Sequence, residues 1–370
     1  GTNRRSRSRS VSSRMWAVTG LLTRPMSAEV YDFRSDNVGG VAPELLEALL
    51  AANCGTAAPY GDDDFTHAMT ARFRHAFEHD GLVAFPLATG TGANAVALAG
   101  LANPYGAIYC HETAHINVYE CGAPELFTGA KLVGLTGDGY KLQAAALDAA
   151  LALAGRGNAT RVQPFALNLT QPTDFGTLYS IDELQHLSEV AHRHGLLVHL
   201  DGARFANAIA ALGCSPAAMT WRAGIDVVSF GATKNGAMNA EAVLVFDPAV
   251  AARVPFLMKR GGQVVSKARF LSAQLDRYLA DDRWLERARQ SNANAARLAR
   301  RLQAIRGVEL IGKVEINMLF ARLPAAAVAA LDRGPFRYYK LGLDQRFVCR
   351  HDQEPAGMDL LVTTIERALA

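Results

Sequence analysis

The stretch Leu196-Leu197-Val198-His199-Leu200-Asp201 decides the fold class of this 370-residue chain, because its apolar run predicts a buried strand. It follows a segment with the features of a helix, in which Ser180 can serve as the N-cap and Gly195 ends the periodic pattern. A second apolar run, residues 225–230, predicts the next strand. Short apolar runs that alternate with helical patterns are typical of βαβ units. The sequence therefore predicts an α/β fold with a mainly parallel central sheet.

Two residues that can do chemistry follow these strands. Asp201 ends the first run, and Lys234 lies in the turn Gly231-Ala232-Thr233-Lys234-Asn235-Gly236 after the second. The carboxyl ends of parallel strands form the edge of a sheet at which ligands bind. A lysine and a carboxylate so placed suit pyridoxal 5′-phosphate, since the amine can form a Schiff base and the carboxylate can keep the pyridine nitrogen protonated.

A glycine-rich turn, Gly90-Thr91-Gly92-Ala93-Asn94-Ala95, follows a strand-like run and opens a helix. The free N–H groups and the positive end of the helix dipole at such a turn predict a phosphate site. The turn also matches the dinucleotide fingerprint G-x-G-x-x-A, and Glu112 lies about 20 residues further on, where a ribose-binding acid belongs. An NAD-dependent dehydrogenase is therefore an alternative, although Asp201 and Lys234 favour pyridoxal phosphate.

The sequence His111-Glu112-Thr113-Ala114-His115 matches H-E-x-x-H, a pattern that binds zinc when both histidines lie on one helix face. The run Gly106-Ala107-Ile108-Tyr109-Cys110 immediately before it predicts a strand. We therefore expect the motif in a strand-to-helix loop, and we expect no metal site.

Composition narrows the class of protein. Hydrophobic residues make up 50% of the chain and charged residues 20%, with a mean hydropathy of +0.05. No apolar run reaches the roughly 18 residues that a membrane-spanning helix needs, so we expect no membrane partner. The five cysteines are scattered and form no C-x-x-C pair, so we expect no disulfide framework and a cytoplasmic location.

Positive charge is concentrated at the N-terminus. Residues 1–25 hold six arginines and no acidic residue, whereas the rest of the chain has 32 basic and 35 acidic side chains and indicates no nucleic-acid partner. We interpret residues 1–25 as a disordered Arg/Ser-rich tail, with a transit peptide or a nucleic-acid-binding arm as alternatives. A change of pattern near residue 255 predicts a large cofactor-binding domain, 26–255, and a small C-terminal domain, 256–370.

A series of motifs in a fixed order along the chain resembles a known family, the pyridoxal-phosphate-dependent threonine aldolases of the aspartate-aminotransferase-like fold (fold type I). The likeness is greatest to the low-specificity L-threonine and phenylserine aldolases. The motifs that carry the resemblance are residues 32–37, 59–63, 90–94, 112–115, 120–125, 170–171, 201–205, 231–236 and 346–347.

The resemblance implies a role for each of these site residues. It makes Lys234 the Schiff-base lysine, Asp201 the partner of the ring nitrogen and His115 the residue that stacks on the cofactor ring. The residues implied to hold the phosphate are Gly90 and Thr91, with Asn94 close by. The residues implied to bind the substrate carboxylate are Ser35, Arg204 and Arg346, a task that suits the guanidinium fork.

The implied reaction is retro-aldol cleavage of a β-hydroxy-α-amino acid, such as L-threonine, L-allo-threonine or phenylserine, to glycine and an aldehyde. Gln171 stands where many members have a second active-site histidine, so the base for the hydroxyl proton is either His115 or a phosphate-bound water. A β-eliminating or other amino-acid lyase on the same fold is the alternative.

The resemblance also implies a homotetramer built from dimers, with active sites near the subunit interface. The basic loop at residues 259–269 either contributes a charge to the neighbour's phosphate site or is a solvated loop.

Overall fold

The computed structural model describes residues 30–370, and the predicted tail at residues 1–25 lies outside them. The strands are β1 (Tyr31–Asp32), β2 (Val83–Leu87), β3 (Gly106–His111), β4 (Lys131–Leu135), β5 (Gln163–Thr170), β6 (Leu197–Gly202), β7 (Val227–Gly231), β8 (Glu241–Val245), β9 (Glu309–Ile311), β10 (Met318–Arg322), β11 (Phe336–Arg337), β12 (Tyr339–Leu341) and β13 (Asp344–Val348). The helices are α1 (Pro43–Ala52), α2 (Asp64–Ala76), α3 (Gly90–Leu101), α4 (His115–Val118), α5 (Ala123–Thr128), α6 (Ala144–Ala152), α7 (Ile181–Arg193), α8 (Phe205–Leu212), α9 (Pro216–Met219), α10 (Pro248–Ala251), α11 (Val254–Arg260), α12 (Arg269–Tyr278), α13 (Arg283–Gln303), α14 (Ala325–Arg333) and α15 (Pro355–Leu369).

The central sheet has seven strands in the order β2-β8-β7-β6-β5-β3-β4. Strand β8 runs antiparallel to both of its neighbours, while the pairs from β7 to β4 are parallel. Each parallel strand is connected to the next through a helix, which is the geometry that βαβ crossovers require. The predicted α/β fold with a mainly parallel sheet is confirmed.

Helix α7 begins where the sequence predicts. The Ser180 side chain accepts a hydrogen bond from the Glu183 N–H, and the Glu183 carboxylate accepts one from the Ser180 N–H, which forms a complete capping box. Gly195 follows the helix with a φ of +68°, a left-handed conformation that costs glycine little. The chain then enters β6, so this cap and this turn set where Asp201 emerges from the sheet.

Alternating residues of the strands face two hydrophobic clusters on opposite sides of the central sheet. One cluster contains Val198 and Leu200 and is built around packed aromatic rings, with Phe230 in contact with Phe77. The other contains Leu197 together with most of the apolar residues of α3. Because side chains two apart share a face, Asp201 points to the α3 side of the sheet.

The C-terminal part of the chain forms an antiparallel sheet in the order β12-β13-β10-β9, covered by α13, α14 and α15. Strand β1 pairs in parallel with β11, and Phe33 is buried in the same cluster as this sheet. The first described residues therefore pack with the C-terminal part of the chain, while the division at residue 255 stays a proposal. Among the helices of residues 30–370, none has both the length and the apolar character needed to cross a membrane.

Candidate active site

Lys234 lies in a single helical turn directly after β7, at the carboxyl edge of the parallel sheet. With Gly90, Thr91 and His115 it lines a cavity of about 420 Å³. Its amine makes no hydrogen bond or ion pair with any residue of 30–370, and burial together with the nearby charge of Arg204 lowers its pKa. A lowered pKa increases the fraction of neutral amine, which is the nucleophilic form.

Asp201 lies near the end of β6 and is 2% exposed. One carboxylate oxygen accepts a hydrogen bond from the Ala203 N–H at 3.1 Å, and the other accepts one from Asn94 Nδ2 at 3.1 Å. These two donors hold the carboxylate in one orientation. The predicted neighbour of the phosphate, Asn94, thus directs its side chain to Asp201, because it lies one helical turn inside α3 rather than at its first residues.

His115 is part of a buried chain of polar contacts that reaches Asp201. Its Nδ1 lies 2.8 Å from Glu120 Oε1, and the same oxygen accepts a hydrogen bond from Asn94 Nδ2 at 2.8 Å. Burial lowers the pKa of His115, but the hydrogen bond to Glu120 and the charges of Asp201 and Asp174 outweigh it and raise the pKa. Burial raises the pKa of Glu120 in turn.

The ligand atoms of His115, Glu120 and Asp201 all lie within 4.8 Å of one another. Two buried carboxylates at this separation repel each other, so the cluster favours a positively charged group close to them. A protonated pyridine nitrogen against Asp201 meets this requirement.

The glycine-rich turn forms the N-terminus of α3, as predicted. Thr89 caps the helix through its hydroxyl, which accepts a hydrogen bond from the Gly92 N–H at 3.1 Å. The N–H groups of Gly90 and Thr91 have no acceptor within the helix, and both residues line the cavity. A Cβ at Gly92 would overlap with Gln263 Oε1, so any larger residue here would require the Gln263 side chain to move. This arrangement suits a phosphate group.

Two arginines form a positively charged wall beside the cavity. Arg204 binds Asp36, with its Nη2 at 2.7 Å from Oδ2, and Asp36 itself lines the cavity. Arg346 Nη2 donates to the Arg34 carbonyl at 3.1 Å, while its buried Nε has no partner within residues 30–370. Burial lowers the pKa of Arg346, and the nearby charge of Arg204 lowers it further. Two guanidinium groups so close together favour an anion between them.

Ser35 has a local role in this wall. Its hydroxyl accepts a hydrogen bond from the Asn37 N–H at 3.2 Å and caps the short helical turn that carries Asp36. Ser35, Arg204 and Arg346 stand next to the residues that line the 420 Å³ cavity rather than among them.

Several residues in or beside the cavity were given no role from the sequence. Asp36 and Glu120 lie inside motifs quoted for the resemblance but were given no role, and Gln263 lies in the basic loop. Glu241, on β8, lines the cavity, and burial raises its pKa to about 7. No local signal marks Glu241, because only the pairing of β8 with β7 brings it near Lys234.

The H-E-x-x-H match lies where the sequence predicts. His111 is the last residue of β3, and His115 is the first residue of α4, so the two imidazoles do not share a helix face. His111 Nδ1 lies 2.8 Å from Thr113 Oγ1, which closes a local turn. The interpretation of this motif as a strand-to-helix loop is confirmed.

Comparison with known proteins identifies the family. The model of the beta-eliminating lyase family matches residues 32–324. The chain belongs to this family. It is 40% identical over 349 residues to the low specificity L-threonine aldolase of Pseudomonas sp. (strain NCIMB 10558), covering 93% of this chain and 100% of that protein. It is 41% identical to the low specificity L-threonine aldolase of Pseudomonas aeruginosa, covering 89% of this chain and 95% of that protein.

The fold comparison agrees with this membership of the beta-eliminating lyase family. The threonine aldolase of Leishmania major superposes with a TM-score of 0.86 at 27% identity, covering 92% of this chain and all of that chain. The chain is therefore a fold type I enzyme that uses pyridoxal phosphate, as the resemblance implies. The dehydrogenase alternative does not fit, because the glycine-rich turn and Lys234 open into the same cavity.

The residues present fit this cofactor. The unpaired amine of Lys234, the acidic cluster around Asp201 and the N-terminus of α3 meet the three chemical demands of an aldehyde, a protonated ring nitrogen and a phosphate. Buried atoms of Asn94 and Glu120 also lack partners within residues 30–370, namely the Asn94 Oδ1 and the Glu120 Oε2.

Proposed function

We propose that this enzyme cleaves the Cα–Cβ bond of β-hydroxy-α-amino acids of the L-threonine class to give glycine and an aldehyde. The observation that carries the proposal is that Lys234 and His115 line one cavity, with Asp201 within 4.8 Å of His115, in a chain 40% identical to a low specificity L-threonine aldolase. Two arginines beside that cavity supply the charge that an amino-acid carboxylate requires.

Each side chain has a distinct task in this proposal. Lys234 would present its amine, whose pKa is lowered by burial, for attachment of pyridoxal phosphate, and Asp201 would hold the proton on the ring nitrogen. When bound, the cofactor supplies an electron-accepting ring that stabilises the electron pair left by bond cleavage. Arg204 and Arg346 bind the α-carboxylate and so orient the Cα–Cβ bond relative to that ring. His115, held by Glu120, would cover one face of the ring.

A second cavity next to this site favours large β-substituents. It has a volume of about 410 Å³ and is lined mostly by aromatic and aliphatic side chains, together with Thr177, Lys313 and Asp344. The Phe175 ring stacks on Tyr140 with centroids 3.7 Å apart and lies 5.4 Å from Phe320. Tyr119 lines the same cavity, and its ring centroid is 5.6 Å from that of His115. We therefore propose that phenylserine-type substrates place their aryl group here.

The test is product analysis with L-threonine, L-allo-threonine and phenylserine. We expect glycine and the matching aldehyde in equal amounts from the enzyme loaded with pyridoxal phosphate. Lys234→Ala should abolish turnover and the cofactor adduct that borohydride traps, while Lys131→Ala, which removes an exposed lysine on β4, should leave both intact. Ammonia and a keto acid in place of glycine would show β-elimination instead and would refute the proposal.

We also propose a homotetramer in the cytoplasm. Large apolar side chains project from the surface of α1, α5 and α11, where Leu50, Leu126 and Phe256 are 71%, 81% and 76% exposed. Each of the five cysteines is free, which suits a reducing compartment. Light scattering coupled to size exclusion should give four times the mass of the chain.

A further inference from the structure

The group that removes the β-hydroxyl proton is the open question in the reaction, and the following inference rests on the proposed function. By the resemblance, Gln171 stands where many family members have a second active-site histidine, but its side chain is fully buried and hydrogen-bonds to the backbone. Its Nε2 donates to the Tyr179 carbonyl at 2.8 Å, and its Oε1 accepts from the Tyr179 N–H at 2.9 Å. Gln171 therefore supports the loop that follows β5 and presents nothing to the substrate.

Asp174 lies three residues further along this loop and has unusual surroundings. Neither of its carboxylate oxygens accepts a hydrogen bond from any residue of 30–370, and Oδ2 is buried without a partner. Asp174 does not line the 420 Å³ cavity; it lines a small neighbouring cavity with Ala114, which precedes His115, and with Tyr140, which also lines the aromatic cavity. Buried carboxylates in folded proteins are normally hydrogen-bonded, so an unpaired one at this position indicates that a ligand completes its contacts.

The other acidic side chains at the site make hydrogen bonds or ion pairs, although the second oxygen of Glu120, Oε2, has no partner within residues 30–370. Asp36 binds Arg204 and the Asn317 amide, Glu120 binds His115, and Asp201 accepts two hydrogen bonds. Glu241, which lines the 420 Å³ cavity, hydrogen-bonds with Thr233. Asp174 differs from these acids because neither of its carboxylate oxygens accepts a hydrogen bond from any residue of 30–370.

We propose that Asp174 is the general base for the β-hydroxyl group. As the hydroxyl O–H bond breaks, the proton moves to a carboxylate oxygen of Asp174, and the electron pair forms the second C–O bond of the aldehyde. The Cα–Cβ bond breaks at the same time, and its electron pair stays with Cα. Cα then takes up one proton to give glycine, and Asp174 releases one, so that no proton is gained or lost overall.

The electrostatic surroundings support this role. Burial and the negative charge of Asp201 raise the pKa of Asp174, while His115, Lys234 and Arg204 oppose the rise. A carboxylate with a raised pKa is a better proton acceptor near neutral pH. His115 is less suitable, because its Nδ1 is engaged by Glu120 and its pKa is raised, which favours the protonated imidazole.

The experiment compares Asp174→Asn with the wild-type holoenzyme in two reactions. Cleavage of phenylserine requires removal of the hydroxyl proton, whereas exchange of the glycine α-proton with solvent deuterium, followed by NMR, does not. General-base catalysis contributes roughly 100-fold to 10,000-fold, so Asp174→Asn should lower kcat for cleavage by about 100-fold or more. Glycine exchange and the visible absorbance of the bound cofactor should change by less than about threefold.

Two further variants complete the design. Asp174→Glu keeps the carboxylate and should recover part of the cleavage rate, and the acid limb of the kcat/KM profile should shift in Asp174→Glu and disappear in Asp174→Asn. Asp182→Asn, on an exposed acid in the first turn of α7, is the matched control and should behave as the wild type.

The outcomes separate this inference from the function itself. Wild-type enzyme that cleaves no β-hydroxy-α-amino acid would refute the proposed function. Wild-type cleavage with an Asp174→Asn variant within about threefold of it would overturn the role of Asp174 alone. Equal loss of cleavage and of glycine exchange would also overturn it, since Asp174 would then act on the site as a whole.

Discussion

His199 offers a quantitative test of how the sheet supports Asp201. It lies two residues before Asp201 on β6 and is fully buried, with Nδ1 at 2.7 Å from Asn168 Oδ1 and Nε2 at 2.8 Å from Ser229 Oγ. Because the amide oxygen can only accept, Nδ1 carries the proton and Nε2 accepts from the serine hydroxyl. The imidazole is therefore neutral, and burial lowers its pKa to about 4.

The sign of the pH effect follows from this shift. The pKa of His199 is lower in the folded state than the ordinary value of about 6.5, so acid favours the unfolded chain, which binds the proton more readily. Stability is intact above about pH 6.5 and is lost as the pH falls towards 4. One pKa unit corresponds to about 1.4 kcal/mol, so the loss between about pH 7.5 and pH 5 is about 2 kcal/mol.

The perturbation is His199→Gln, which keeps a neutral hydrogen-bonding side chain that does not titrate. Glu241 titrates in the same range with the opposite sign: burial raises its pKa to about 7, so its contribution is present at low pH and is lost as the pH rises through 7. The quantity to compare is therefore the difference between the two proteins, which cancels Glu241.

Urea unfolding followed by circular dichroism, at one protein concentration and both pH values, measures that difference. We expect the free energy of unfolding of the wild type to fall by about 2 kcal/mol more than that of His199→Gln between the two pH values. Parallel losses in the two proteins would refute the reasoning that a buried neutral imidazole supports β6.

Three further variants test the site itself. Asp201→Asn should lower kcat by about 100-fold or more, because the negative charge that stabilises the protonated ring nitrogen is lost. Borohydride should still trap the cofactor on Lys234, and a normal kcat in steady-state assays would contradict the role of Asp201. Arg346→Lys should raise KM about tenfold with little change in kcat, since one arm of the guanidinium fork is lost, and an unchanged KM would place the carboxylate elsewhere. Phe175→Ala should lower kcat/KM for phenylserine about tenfold relative to L-threonine when the two substrates compete, because aryl burial is lost, and equal losses would exclude the aromatic cavity.

The local pattern of the chain was enough to predict the elements that carry the cofactor site. Strands that are buried on both faces are continuous apolar runs, so β6 and β7 could be found without any neighbour. The positions of Asp201 and Lys234 could be predicted from the ends of those runs. The position of Gly90 could be predicted from the glycine-rich turn that opens a helix, which is a short motif.

Side-chain direction could not be predicted in the same way. Asn94 belongs to the predicted turn, yet its amide binds Asp201, which is 107 residues away in sequence. Nothing in the turn specifies that contact, because it depends on how α3 packs on β6.

What the sequence by itself determined is therefore the α/β class, and it also predicted the ligand-binding edge of the sheet and the residues proposed to attach the cofactor, since each depends on periodicity or on a short motif. Only the tertiary structure decided which charges are paired: Asp36 with Arg204, 168 residues apart, and Asp174 with no partner within residues 30–370. Hydrogen-bond partners that are distant in sequence are selected by packing, which no single segment encodes. The identity of the unpaired carboxylate could thus be recognised only after every other acid of the site had been placed.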